Sequence, residues 1–317
     1  ILNVVSGMEV WLGVVVSAVV VTFYTYIGGM WAISITDFVQ SIIIVVGLLV
    51  LAFVLADQAG GVSVVFADVQ PETLRFLPRP GWQEVTAYFA AWSVLGLGSI
   101  PSQDVFQRAM SSGSANTAVK SCYYAAALYL TVAMLPLFIS LCTKHLYPDH
   151  VNGDTQLTLP MMVLQHTNLA VQILFFGSLL SAIMSTTSSA ILAPAAIFSE
   201  NLVRPLSGNR FNDRQMLWLT RGSVLLFSGL ATVMACVRSN IYELVGESSV
   251  LSMVTLLAPL VFGLYWRRTT ATGAMASMAV GFIAWLVFEF AVDTGVPSLV
   301  PATLLSVMAL IVGSVFS

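Results

Sequence analysis

Long apolar runs separated by short polar clusters set the organisation of this chain. A helix needs about 20 mostly apolar residues to cross roughly 30 Å of hydrocarbon. Nine stretches qualify, centred on residues 8–28, 35–56, 84–107, 118–142, 169–200, 215–236, 242–266, 272–291 and 298–316. A transmembrane barrel would instead alternate in polarity over strands of about ten residues, whereas Ser41 to Val54 is apolar on every face. The pattern predicts an all-α, polytopic membrane protein, one transmembrane domain over residues 1–317 with two turn-rich outer loops at about 57–83 and 144–168.

Composition agrees with the pattern. The chain is 58% hydrophobic and 9% charged, against about 25% charged in soluble domains. A formal charge of −3 offers a nucleic acid nothing basic to bind. Cys122, Cys142 and Cys236 lack pair or ligand spacing and read as small core residues. His145, His150 and His166 fall in the second outer loop and read as solvated. Ile1 opens inside an apolar segment and Val315-Phe316-Ser317 closes inside another, so the sequence reads as a fragment of a longer membrane protein.

Lys and Arg collect in cytoplasmic loops. The third-to-fourth, fifth-to-sixth and seventh-to-eighth connections together hold Arg108, Lys120, Arg204, Arg210, Arg214, Arg221, Arg267 and Arg268, eight of the twelve. That side is expected to be inside. The first helix then enters from outside.

Polar groups inside a spanning helix are expensive and raise a functional question. In the fifth stretch, Ala182, Ser185, Thr186 and Ser189 share one helical face, with Ser188 beside it and Pro194 beyond, where it disrupts the helix. Hydroxyls and backbone carbonyls suit a hard monovalent cation that must be released again. They equally suit close helix packing. Asp37 stands near the inner end of the second stretch and needs a cation, a proton or hydroxyl partners unless it sits among headgroups. The third stretch contains Gly96, Gly98, Ser99, Pro101, Ser102 and Gln103. It reads as a broken helix whose freed backbone lines a cavity, or as a plain proline kink. Trp92, Phe106, Tyr242 and Tyr265 are aromatics available to stack on a solute or to sit at headgroup level.

Together, Gly28-Gly29-Met30-Trp31, Thr36-Asp37-Phe38-Val39-Gln40, Phe106-Gln107-Arg108 and Ser181-Ala182-Ile183-Met184-Ser185-Thr186 resemble the sodium/solute symporter family. That family includes sodium-coupled glucose, proline, pantothenate and choline transporters. The resemblance implies a LeuT-like core of five plus five helices in inverted repeat, with extra C-terminal helices. On that frame the first helix here corresponds to the fourth of the core, and core helices one to three are absent. The resemblance assigns a main sodium site to Ala182, Ser185 and Thr186, and a possible second one to Asp37 with Ser185, Ser188 and Ser189. The exposed carbonyls and half-helix ends of the broken third stretch are expected to hold the solute, while the resemblance assigns much of the solute pocket to the absent first core helix.

Gly98-Ser99-Ile100-Pro101 before Gln103 is similar to the choline-transporting branch. Ser102 departs from that branch, which has an aromatic residue there. Sugar, amino acid, carboxylate and vitamin solutes stay open. The implied activity is import of a small organic solute across the cell membrane, coupled to sodium by alternating access. The implied partners are sodium, the solute and lipid, with no organic cofactor. The alternative is a transporter-like sensor domain of a signalling protein. An enzyme is not expected, because no nucleophile–base pair or metal-spaced histidines fall within the spans.

Overall fold

The computed structural model describes residues 1–148, 155–208, 210–237, 240–292 and 294–317. Asp149, His150, Asp154 and Arg238, and the side chain of Tyr242, lie outside the described residues. The elements are α1 (Leu2–Ser6), α2 (Val10–Gln58), α3 (Val62–Asp68), α4 (Trp82–Gly98), α5 (Gln103–Met110), α6 (Ala115–Thr131), α7 (Met134–Leu146) and α8 (Thr155–His166). They continue with α9 (Leu169–Ile197), α10 (Arg204–Leu206), α11 (Asp213–Val237), α12 (Ile241–Ser252), α13 (Ala258–Tyr265), α14 (Ala271–Phe290) and α15 (Leu299–Val315). Wider π-helical turns at Phe198–Val203 and Met253–Leu257 carry α9 into α10 and α12 into α13.

Six helical runs among the described residues are long and apolar enough to cross a membrane, beginning with Val10–Gln58. The 49 residues of α2 would extend about 73 Å at 1.5 Å per residue, well beyond one crossing. Gly29 breaks it, with φ 53° and ψ −152°, a backbone region open essentially to glycine alone. The two arms, residues 10–28 and 30–58, match the first two expected spans. The third expected span is two helices, since α4 stops at Gly98 and α5 starts at Gln103. Pro194 does not end α9, which stays helical to Ile197 and then widens into the π turn.

Some expectations need correction. The segment expected as a loop at 57–83 contains α3, and the one at 144–168 contains α8. Both helices are short, 7 and 12 residues, so they leave no long apolar signature. His145 belongs to the last turn of α7 and bonds Asp68 at the end of α3, Nδ1 to Oδ2, at 2.8 Å. His166 stacks on Tyr147 with ring centroids 4.0 Å apart. These two histidines are therefore engaged rather than simply solvated. Only Cys142 is buried, while Cys122 and Cys236 are exposed.

Local chemistry explains several boundaries. Ser114, Asn168 and Thr270 each accept a backbone N–H at the start of α6, α9 and α14, the standard compensation for unpaired first-turn donors.

By internal contacts the chain forms two compact units, residues 1–74 with 111–237, and residues 75–110 with 238–317. The first unit is organised by α2 against α9. Leu51 and Leu55 meet Val171 and Phe175 in one buried cluster, and Val21 and Ile33 meet Ile191, Leu192 and Ala195 in another. In the second unit α14 and α15 pack through small residues. Gly273, Ser277 and Gly281 recur every fourth position, and the Ser277 and Ser306 hydroxyls are 2.9 Å apart. Small residues at such spacing let membrane helices approach closely.

Candidate ion site between α2 and α9

Ser178, Ala182, Ser185, Ser189 and Leu192 lie on one stripe of α9; Ile33, Asp37, Gln40, Ile44, Gly47 and Leu51 lie on one stripe of α2. The helices run antiparallel, as two anchored contacts show. Ser185 Oγ donates to Asp37 Oδ1 at 2.6 Å, and Ser178 Oγ donates to the Ile43 carbonyl at 2.9 Å. Gly47 allows the second contact, because a Cβ there would overlap Ser178 Oγ and stand 3.0 Å from the Leu174 carbonyl.

Asp37 is half-buried and holds the Ser185 hydroxyl, a bond worth about 1.5–3 kcal/mol to a charged acceptor. Three further hydroxyls donate to carbonyls of their own helix. Ser188 and Ser189, both buried, donate to the Ser185 carbonyl at 2.9 and 3.1 Å, and exposed Thr186 donates to the Ala182 carbonyl at 3.0 Å. Each donating hydroxyl keeps lone pairs for another partner. Ser185 thus belongs to both residue sets expected from the sequence, while Thr186 and Ala182 pair with each other beside it.

Tyr24 was not singled out by the sequence reading. Its phenol donates to the Met184 carbonyl at 2.8 Å and neighbours Ser188 and the charge of Asp37. A signal was present, since Thr22, Tyr24, Thr25 and Tyr26 put four polar groups into an otherwise apolar arm.

The donor set is one carboxylate, several hydroxyls and backbone carbonyls, all hard oxygens suited to an alkali or alkaline-earth cation rather than to a soft metal. Among the described residues no cluster of three or more His, Cys, Asp or Glu forms a metal site. An apolar groove of about 500 Å³ between α2 and α11, lined by Val15, Val19, Phe23, Leu225 and Gly229, contains none of these oxygens.

The residues of the broken helix lie in the second unit. Gly98 is buried at the end of α4, where a Cβ would overlap the Ser249 carbonyl of α12. Ser99 and Pro101 form the turn. Ser102 donates to Asp104 Oδ1 at 2.7 Å, and Asp104 meets Arg108 at 3.8 Å. Gly96 and Gln103 are exposed, as are Trp92 and Tyr265.

A helical array with an interrupted helix and an oxygen-lined seam through apolar spans defines a polytopic membrane protein of transporter architecture. The model of the sodium:solute symporter family matches residues 1–281, and the chain belongs to that family. It is 30% identical over 295 residues to the human high affinity choline transporter 1, covering 88% of this chain and 50% of that protein. It is 27% identical over 324 residues to the osmoregulated proline transporter OpuE of Bacillus subtilis, covering 98% of this chain and 64% of that one. The chain therefore spans about half the length of the choline transporters it matches. In fold it is similar to a Na⁺-coupled sialic acid symporter solved in a substrate-bound, outward-open state, with a TM-score of 0.83 at 18% identity over 99% of this chain and 68% of that one. The relatives are transporters rather than enzymes, and the chain is a multi-pass membrane protein.

Proposed function

We propose that this chain belongs to a sodium-coupled symporter that imports a small organic solute across the cell membrane. The observation that carries the reading is the Ser185–Asp37 hydrogen bond at 2.6 Å, which brings a carboxylate to the hydroxyl face of α9 inside apolar spans. In this reading the Ala182 carbonyl with Ser185 and Thr186 holds the main sodium. Asp37 with Ser185, Ser188 and Ser189 holds a second. Ser185 is shared, so filling one set reorients a ligand of the other. Sodium and solute need only prefer the same conformation for each to tighten the other's binding.

The interruption between α4 and α5 supplies backbone groups for the solute, with Gly96, Gly98, Ser99, Pro101, Ser102 and Gln103 along it. Choline and proline head the candidate solutes because the transporters named above carry them in their names. The test is uptake by the full-length protein across choline, proline, pantothenate, sugars and short carboxylates, with sodium replaced by equimolar potassium. Uptake of one of them is expected to collapse in potassium. Transport that ignores the replacement overturns the proposal.

A further inference from the structure

We propose that the side-chain amide oxygen of Gln40 is an additional sodium ligand in the Asp37 site. The inference rests on the sodium reading of Asp37 and Ser185 given above. Three observations lead to it. Gln40 Oε1 is buried, and no hydrogen-bond donor among the described residues reaches it. Gln40 lies three residues after Asp37, on the stripe of α2 that includes buried Ile33, Gly47 and Leu51, so it faces the α9 seam one turn from the carboxylate. The register puts it between the Asp37–Ser185 and Ile43–Ser178 contacts, opposite Ser181 and Ala182.

A buried acceptor without a donor carries its full desolvation cost, and between membrane helices no bulk water relieves it. Thr25 Oγ1 and Thr303 Oγ1 are also buried and unpartnered. A threonine hydroxyl reaches a carbonyl of its own helix by rotating about one bond. The oxygen of a carboxamide has no such remedy, because it cannot donate. What satisfies it is a donor or a cation, and side-chain carbonyls of Gln are ordinary ligands of hard cations. Gln40 adds a neutral oxygen next to Asp37, which fills the coordination shell without adding the second negative charge that would slow release.

The experiment uses the full-length transporter with Gln40→Leu and Gln40→Glu, and Ser185→Ala as reference. It reads the sodium concentration for half-maximal uptake and the sodium-induced shift in Tm of the purified protein. Gln40→Leu is expected to raise half-maximal sodium at least fivefold and to shrink the sodium-induced shift, with a sodium-free Tm equal to or above the parent. Gln40→Glu retains an acceptor oxygen and is expected to keep half-maximal sodium at or below the parental value. If Gln40→Leu is parental in both readouts while Ser185→Ala is impaired, the assignment of Gln40 fails and the sodium reading stands. If both variants are parental, the sodium reading itself fails. A lowered sodium-free Tm in Gln40→Leu, or a raised half-maximal sodium in Gln40→Glu, overturns the ligand role in favour of packing or of donation to Asp37.

Discussion

At the scale of single residues, the hydroxyl of Ser185 ties the hydroxyl face of α9 to the carboxylate of α2. Ser188, Ser189 and Thr186 donate to carbonyls of α9 itself, whereas Ser185 donates across the seam to the Asp37 carboxylate of α2. Ser185→Ala is therefore expected to raise half-maximal sodium by about tenfold or more, the equivalent of one lost bond to a charged group, with surface expression kept. Unchanged sodium activation in cells expressing the variant would contradict this. Asp37→Asn removes a charge and keeps the shape. In reconstituted vesicles, paired ion and solute fluxes should fall toward one sodium per solute if Asp37 serves a second ion. A parent that already transports one sodium per solute eliminates that second site.

At the scale of elements, the seam between α2 and α9 depends on one glycine and one serine. A methyl at Gly47 overlaps Ser178 Oγ and crowds the Leu174 carbonyl, while Gly177 on the same stretch of α9 has nothing within 4 Å of its missing Cβ. Gly47→Ala should cost about 1–3 kcal/mol through overpacking and lower the Tm in detergent; Gly177→Ala should leave it unchanged or raise it. Equal Tm values for the two would refute the packing argument. The apolar runs made the spans legible in sequence, and the glycines and proline between residues 96 and 101 made the break after α4 legible. Helices α3 and α8 were not, because runs of 7 and 12 residues are too short to register as spans. The π turn after Pro194 was also invisible, since its wider winding reflects packing that no local pattern encodes. The meeting of Asp37 with Ser185 joins residues 148 apart in sequence. Periodicity arranged each face, but only the family resemblance suggested that the two faces meet; its motif includes Gln40 without giving it a role, and neither drew attention to Tyr24.

At the scale of the whole molecule, function requires that the two sides of the membrane be chemically distinct, and the basic residues carry that distinction. What orients a chain is the count of Lys and Arg in short loops rather than net charge. The pairing of Arg204 with Glu200 at 2.7 Å and of Arg108 with Asp104 at 3.8 Å therefore does not remove those arginines from the count. The segment before α6 and the segment after α10 are accordingly expected on the cytoplasmic side, and the segment between α3 and α4 on the outer side. Asn116 and Gln70 are exposed residues in or beside these segments. Once Cys122 and Cys236, the exposed native thiols, are replaced by alanine, Gln70→Cys should react with a membrane-impermeant maleimide on intact cells. Asn116→Cys should react only in inside-out vesicles. The reverse labelling would invert the protein, and with it the direction in which a sodium gradient drives the solute, so the same two cysteines test both the topology and the claim of import.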